Sequence, residues 1–108
     1  MDVAIRIPPS EAPRVVTVWI DTAFNGFFVF PRELIEKLGL QQEAATEAIL
    51  ADGNRVTLES FGCHVEWFGE VRQAQVIAND GKLPLLGTEL LAKRKLLIDY
   101  GAGLVSIS

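Results

Sequence analysis

The stretch Val15-Val16-Thr17-Val18-Trp19-Ile20-Asp21-Thr22-Ala23 decides the fold, because it is an apolar run that ends in an acid. Its β-branched residues predict a buried strand over Arg14 to Ile20. A carboxylate at the end of such a strand is costly unless another group uses it. Asp21 is therefore either the cap of a turn, a position that aspartate favours, or a functional carboxylate.

A second apolar element, Leu85-Leu86-Gly87, follows much later in the chain. Leu83 to Leu86 predict a strand, and the residues after Gly87 predict a short helix over Glu89 to Arg94. Thr88 precedes this helix and is predicted to cap it through its side chain. The chain thus has two apolar strands, one ending in Asp-Thr-small and the other in Leu-Leu-Gly.

The rest of the pattern predicts a single, mostly β domain over residues 1–108 with two short helices. Pro31 begins the first helix, where its missing N–H costs nothing, and Gly39 ends it in a left-handed conformation. Asp52-Gly53-Asn54 and Gly69 are predicted hairpin turns. Further strands are predicted at 3–7, 27–30, 44–51, 55–61, 63–68, 70–78, 96–100 and 104–107.

Composition limits the partners of the chain. Apolar residues make up 49% of the sequence and the mean hydropathy is +0.26, which is high for a small monomer and predicts a subunit interface. The net charge of -4 argues against nucleic acid or an anionic membrane surface as a partner. No stretch is long and apolar enough to predict a membrane span.

The cysteine count and the N-terminal residues indicate a compartment. Cys63 is the one cysteine, which excludes an intrachain disulfide and fits a reducing environment. The start of the sequence, Met1 to Arg6, lacks the basic-then-apolar layout of a signal peptide. We therefore expect a cytoplasmic protein.

Other chemistries find little support in the sequence. Cys63 and His64 are adjacent, but on a strand they point to opposite faces, and no second cysteine or histidine completes a zinc set. A serine or cysteine triad would depend on His64, the single histidine, as its base. The basic run Lys93-Arg94-Lys95 is interpreted as a solvated helix end. The sequence predicts no metal and no cofactor.

The order of these elements resembles the retropepsin-like aspartic proteases, in particular their small bacterial and archaeal members. The resemblance covers nearly the whole chain, and the order of elements is far more specific than the Asp-Thr-Ala triplet alone. It implies a mostly β, closed, barrel-like acid-protease fold with two short helices. The matching segments are Ile20 to Gly26, the phenylalanine-rich strand after it, the helix from Pro31 to Leu40, the hairpin around Asp52-Gly53, and Leu85 to Leu91.

The resemblance implies a homodimeric aspartic endopeptidase. The chain carries one Asp-Thr copy, so the second catalytic aspartate would be Asp21 of a second chain. The paired Asp21 carboxylates would activate a water that attacks a peptide bond. Thr22 would hydrogen-bond across the two-fold axis, and Ala23 completes the catalytic triplet.

The resemblance also implies which residues would hold a peptide or protein substrate. Asn25 matches a position that contacts the substrate main chain, and the hairpin from Ile49 to Val56 falls where the family has its flap. The implied substrate-binding residues are Phe24, Asn25, Ile49, Leu50, Ala51, Asp52, Gly53, Leu85, Leu86 and Gly87.

Ala23 departs from the family pattern, in which glycine follows Asp-Thr. The added methyl group leads to two expectations: crowding beside the paired aspartates, or a backbone torsion that alanine tolerates poorly. Two alternatives stay open, and Ala23 supports the first of them. One is a weak or inactive dimer of the same fold that binds extended peptides or acts as an assembly module. The other is an unrelated β-barrel interaction domain in which Asp21 merely ends a strand.

Overall fold

The computed structural model describes residues 1–7, 11–49, 51–92, 94, 96–99, 101 and 103–107. Leu50, predicted to bind substrate, lies outside these residues, as do Lys93 and Lys95 of the basic run. Among the described residues, no helix has the length and apolar character needed to cross a bilayer.

The described chain forms ten strands and two short helices, which confirms the predicted mostly β architecture. In chain order they are β1 Asp2–Arg6, β2 Arg14–Thr17, β3 Trp19–Ile20, β4 Phe28–Pro31, α1 Arg32–Leu38, β5 Gln41–Ile49, β6 Arg55–Trp67, β7 Glu70–Asn79, β8 Leu85–Leu86, α2 Thr88–Leu91, β9 Leu96–Asp99 and β10 Leu104–Ile107.

Eight strands form one sheet that closes into a nearly complete barrel. The order is β2-β1-β6-β7-β4-β8-β3, with β5 paired to β6, while β9 and β10 form a separate two-stranded sheet. The outermost strands β2 and β3 are joined through Val18 alone. Because the two ends of the sheet are neighbours along the chain, the sheet must curl round on itself, which leaves few free edges.

Strand β4 lies near the centre of this barrel. Phe28, Val29 and Phe30 are all buried, because β4 has a strand on each side and α1 packs nearby. The largest fully buried side chains are Phe28, Phe30, Ile5, Leu86, Leu90, Val18, Val65 and Val76.

The first helix ends as its sequence predicts. Gly39 has φ 69°, the left-handed conformation that glycine adopts without a steric penalty. Its N–H donates to Glu36 O at 3.1 Å, and the Leu40 N–H donates to Ile35 O at 3.2 Å. These two hydrogen bonds satisfy the last carbonyls of the helix.

Strand ends differ from the prediction by one to three residues at several places, and the continuity of strands is predicted wrongly at two. The strand predicted over 14–20 is divided at Val18, because β2 pairs with β1 whereas β3 pairs with β8. The strands predicted at 55–61 and 63–68 are one strand of 13 residues. Gly62 continues this strand because it pairs with Gln41 on one side and with Gln75 on the other.

The long strand β6 carries a hairpin beyond the barrel. Its pairing with β7 begins at Ser60, so residues 55–59 pair only with β5. Residues 45–49 and 51–59 therefore form a two-stranded ribbon with its turn, called here the projecting hairpin, and most of these residues are exposed. Ile49, near its turn, is 70% exposed.

Cys63 lies on β6 within the barrel core and is 2% exposed. Burial, with a smaller contribution from the Glu43 carboxylate, raises the pKa of its thiol to about 12. The buried thiol therefore stays protonated in the folded protein at neutral pH, which makes it a poor nucleophile.

We expect a thiol-alkylating reagent at pH 8 to label Cys63 quickly in urea and very slowly in the native protein. The raised pKa also predicts that the free energy of unfolding falls as pH rises from about 9 toward about 12, because only the unfolded thiol ionises in that window. Cys63→Ala should lack this part of the decline in a urea titration at each pH. Rapid labelling of the native protein would contradict the prediction.

Candidate active site

Residues 21–27, called here the Asp21 loop, connect β3 to β4 across the end of β8. Strand β8 lies between the other two, parallel to β3 and antiparallel to β4. The chain therefore leaves the sheet on one side of β8 and returns on the other. This path brings Asp21 next to the end of the Leu85-Leu86-Gly87 element.

Hydrogen bonds hold the Asp21 carboxylate in place. The Asp21 N–H donates to Leu86 O at 2.9 Å, and Asp21 Oδ1 accepts the Ala23 N–H at 3.0 Å. The second bond is the turn-capping contact that aspartate often makes. Asp21 is half-buried, and Oδ2 has no hydrogen-bond partner among the described residues. Oδ1 thus stabilises the turn, whereas Oδ2 is free to accept a hydrogen bond from a bound molecule.

The Asp21 loop also caps helix α2 with its backbone. Phe27 O accepts the Gly87 N–H at 2.8 Å, Phe24 O accepts the Thr88 N–H at 2.8 Å, and Gly26 O accepts the Glu89 N–H at 3.1 Å. These bonds satisfy N–H groups that the first turn of a helix leaves unpaired.

The predicted capping role of Thr88 is wrong. Gly87 occupies the N-cap position with no side-chain cap, and Thr88 is the first residue of the helix. Its hydroxyl instead lies 3.5 Å from Asn25 Oδ1. The helix also ends at Leu91, short of the predicted Arg94.

Position 87 requires glycine because there is no room for a side chain. Its φ is -95°, which any residue can adopt. A Cβ atom there would lie 2.8 Å from Phe24 O and closer still to Gly26 O. Both oxygens belong to the backbone that caps α2, so neither can move without breaking a cap.

Ala23 adopts an ordinary backbone conformation. Phe68 is the one non-glycine residue with positive φ among the described residues, so the expected torsional strain at Ala23 is wrong. Ala23 and Thr22 are both exposed, as is Asn25. The Thr22 hydroxyl has no hydrogen-bond partner within the described part of the chain.

Asp21 lies away from the four depressions described on the surface. These have volumes of about 540, 410, 590 and 300 Å³, and Asp21 lines none of the four. The apolar residues beside the loop differ in access, since Leu86 is fully buried whereas Leu85 and Phe24 are half-buried.

The projecting hairpin stands apart from the Asp21 loop in the described interactions. At its turn, Asp52 accepts the Asn54 N–H at 2.9 Å and the Asn54 side-chain amide at 2.8 Å, while Gly53 has φ 87°. Among the hydrogen bonds and ion pairs of the described residues, none joins Ile49, Ala51, Asp52 or Gly53 to the loop.

An ion-pair network at the base of the hairpin was missed by sequence reasoning. Arg32 Nη1 lies 2.8 Å from Glu59 Oε2, and Arg32 Nε lies 3.2 Å from Asp80 Oδ1. Hydrogen bonding to both carboxylates raises the pKa of the Arg32 guanidinium. No local signal could have found this network, because the partners are 27 and 48 residues away in the chain.

The fold is similar to that of two solved structures. The EIAV protease, complexed with the inhibitor HBY-793, matches with a TM-score of 0.58 and 18% identity over 86% of this chain and 84% of that one. The retroviral protease-like domain of Ddi1 from Leishmania major matches with a TM-score of 0.51 and 13% identity over 99% of this chain and 86% of that one.

Comparison with protein-family models finds no match, and comparison with curated protein sequences finds none. The structural similarities nevertheless define the class of fold. The chain has a retropepsin-like, acid-protease fold, as predicted, and an unrelated β-barrel is ruled out. Membership of a small bacterial or archaeal type stays a prediction.

We expect Gly87→Ala to lower the free energy of unfolding by roughly 1–3 kcal/mol, because the added methyl group overpacks a site bounded by backbone atoms. Urea denaturation measures this change.

Gly81→Ala is the matched control. The nearest atoms to a methyl group at Gly81 belong to the Asn79 side chain, at 3.3 Å. A shift of a few tenths of an ångström relieves this contact, and Asn79 Oδ1 can still accept the Gly81 N–H, now at 3.1 Å. The control should change stability by less than about 0.5 kcal/mol. Equal effects of the two substitutions would refute the spatial role of Gly87.

Proposed function

We propose that this protein is a homodimeric aspartic endopeptidase, with residues 1–108 forming one catalytic domain and half of one active site. The observation that carries the proposal is the position of Asp21 in a retropepsin-like fold. Its carboxylate is oriented by the Ala23 N–H and keeps one oxygen without a partner in the described chain. Thr22 and Ala23 complete the catalytic triplet.

The second half-site comes from a second copy. The sequence holds one Asp-Thr element, and Asp21 is partly exposed in the single chain. A two-fold axis beside the loop would bring two Asp21 carboxylates together and enclose a cleft. A symmetric dimer is also the commonest way for a small chain to bury surplus apolar surface.

The paired carboxylates supply both catalytic functions. Two carboxylates within hydrogen-bond distance share one proton, as in known aspartic-protease dyads. The ionised member acts as general base on a water molecule, and the protonated member donates to the oxygen of the scissile carbonyl. The Thr22 hydroxyls, each exposed in the single chain, would bond across the axis and hold the two loops in register. The mechanism requires no metal or cofactor.

The substrate would be an extended peptide. The projecting hairpin would close over it, with Ile49, Ala51, Asp52 and Gly53 nearest the peptide, and would exclude water. Asn25 would contact the substrate main chain. Phe24 and Leu85 have exposed surface that can line apolar subsites, whereas Leu86 and Gly87 would act mainly by bracing the Asp21 loop. We place this activity in the cytoplasm, with no nucleic acid or membrane partner.

Ala23 favours a second candidate function. A methyl group beside the dyad would crowd the attacking water or the substrate backbone. The same dimer would then bind extended peptides but cleave them slowly or not at all, or it would serve as an assembly module. Peptide cleavage separates this candidate from the first.

We expect Asp21→Asn to lower the rate of peptide cleavage by about 100-fold or more, because the amide cannot act as a general base. The assay is cleavage of a peptide library at several acid pH values. The wild-type rate should also fall at alkaline pH, where both members of the dyad ionise. Sedimentation should show that the variant remains dimeric.

Asp2→Asn is a matched control for this loss. Asp2 Oδ1 accepts a hydrogen bond from the Thr17 hydroxyl at 2.6 Å, and an amide oxygen can accept the same bond. The control should keep wild-type activity. Full activity in Asp21→Asn, or a protein that sediments only as a monomer at high concentration, would refute the proposed enzyme.

We expect Ala23→Gly to raise turnover, because it removes the methyl group beside the dyad without changing the carboxylates. The glycine also loosens the unfolded chain, so stability should fall by about 0.4–1 kcal/mol, since Ala23 already has a favourable torsion. Turnover and urea denaturation, measured on the same preparation, check both parts. Unchanged or lower turnover would show that Ala23 is well accommodated, and would remove the support for the second candidate.

A further inference from the structure

We infer that Arg32 is a positioning residue that sets the angle at which the projecting hairpin stands on the barrel. Arg32 begins α1, directly after β4, and so belongs to the rigid body of the fold. Its partner Glu59 belongs to the hairpin. The role of this contact in substrate binding rests on the proposed function, whereas the contact itself does not.

The contact lies at the pivot of the hairpin. Glu59 pairs with Ala45 only, while the next residue, Ser60, pairs with Ile77 of β7 as well. Glu59 is thus the last residue of the two-stranded ribbon before β6 enters the barrel sheet. A contact at Glu59 can therefore set the orientation of the whole hairpin relative to the barrel, while the pairing between β5 and β6 stays the same.

Arg32 joins three separate elements at this pivot. Its Nη1 contacts Glu59 on β6 at 2.8 Å, and its Nε contacts Asp80, just after β7, at 3.2 Å. Two different nitrogens of one planar group make the two contacts, so the direction of the side chain is fixed by both. A lysine has a single nitrogen and cannot hold the same direction.

Around Arg32, the ion pairs cross a region of open surface between α1 and the base of the hairpin. Arg32 lines two depressions, one of about 540 Å³ beside the loop 79–82 and one of about 410 Å³ between α1 and the base of the hairpin. The Arg32 side chain therefore crosses an open surface between α1 and β6. Space beneath the pivot leaves the hairpin free to tilt once the ion pairs break.

The Arg32–Glu59 ion pair is weak enough to break and form again as the hairpin changes its orientation. Arg32 is 45% exposed and Glu59 is 32% exposed, so solvent and salt screen the pair. A contact of this kind shifts the balance between two hairpin positions by about 1.5- to 5-fold. It biases the hairpin without locking it.

The test measures the position of the hairpin directly. Spin labels are attached at Thr57→Cys on the hairpin and at Glu70→Cys on the barrel, both of which are exposed positions. The native Cys63 is buried and should remain unlabelled. Labelled protein is diluted into unlabelled protein, so that each dimer carries one labelled chain, and the distribution of label distances is recorded by pulsed electron paramagnetic resonance.

Arg32→Gln should broaden this distribution or shift its mean, and Arg32→Lys should do so in part. Arg55→Gln is the matched control, because the Arg55–Glu47 pair, at 3.7 Å, joins the two strands of the hairpin and does not touch the barrel. The control should leave the distribution unchanged. The charge-swapped variant Arg32→Glu with Glu59→Arg should restore it only in part, because the pair with residue 59 forms again while the glutamate at position 32 repels Asp80. Salt at 1 M should broaden the distribution of the wild type and of Arg55→Gln, and should add little in Arg32→Gln.

A distribution that Arg32→Gln leaves unchanged would overturn the inference, as would an equal change in Arg55→Gln. In cleavage assays Arg32→Gln should raise KM about 1.5- to 5-fold with little change in kcat. An unaltered KM beside a broadened distribution would overturn the role in substrate binding. The distance measurement needs no substrate, so it tests the contact even if the cleavage assays refute the proposed enzyme.

Discussion

The rest of this structure depends on the backbone hydrogen bonds between the Asp21 loop and the first turn of α2. Carbonyls of Phe24, Gly26 and Phe27 satisfy N–H groups that a helix cannot satisfy by itself. The loop in turn is held at its start by the bond from the Asp21 N–H to Leu86 O. Neither partner would be stable in this form alone, so a helix of one turn and an irregular loop define a single rigid unit.

This unit explains why the barrel presents Asp21 as it does. Strand β8 places Leu86 between the two strands that flank the loop, and the loop must cross over it. The carboxylate therefore lies partly exposed at the surface, with its backbone held by Leu86. The proposed pairing with a second Asp21 would use this exposed side of the loop.

The parts that the sequence predicts correctly depend on local rules. Gly39 marks the end of α1 through its own torsion, and Gly53 marks a turn in the same way. The predicted start of α1 is one residue too early, since Pro31 is the last residue of β4 and α1 begins at Arg32. The role of Thr88 was predicted wrongly because the groups that cap α2 come from far earlier in the chain. The Arg32 network was missed for the same reason. That Asp21 and Thr22 of two chains act together on a peptide stays a prediction.

Backbone capping also has a consequence for the divergence of such proteins. A carbonyl accepts a hydrogen bond whatever side chain its residue carries, so most of the loop can change in sequence while its geometry persists. Gly87 is different, because a side chain there would meet the backbone oxygens that cap the helix. A site held in this way constrains few side chains, so its geometry depends mainly on the path of the backbone.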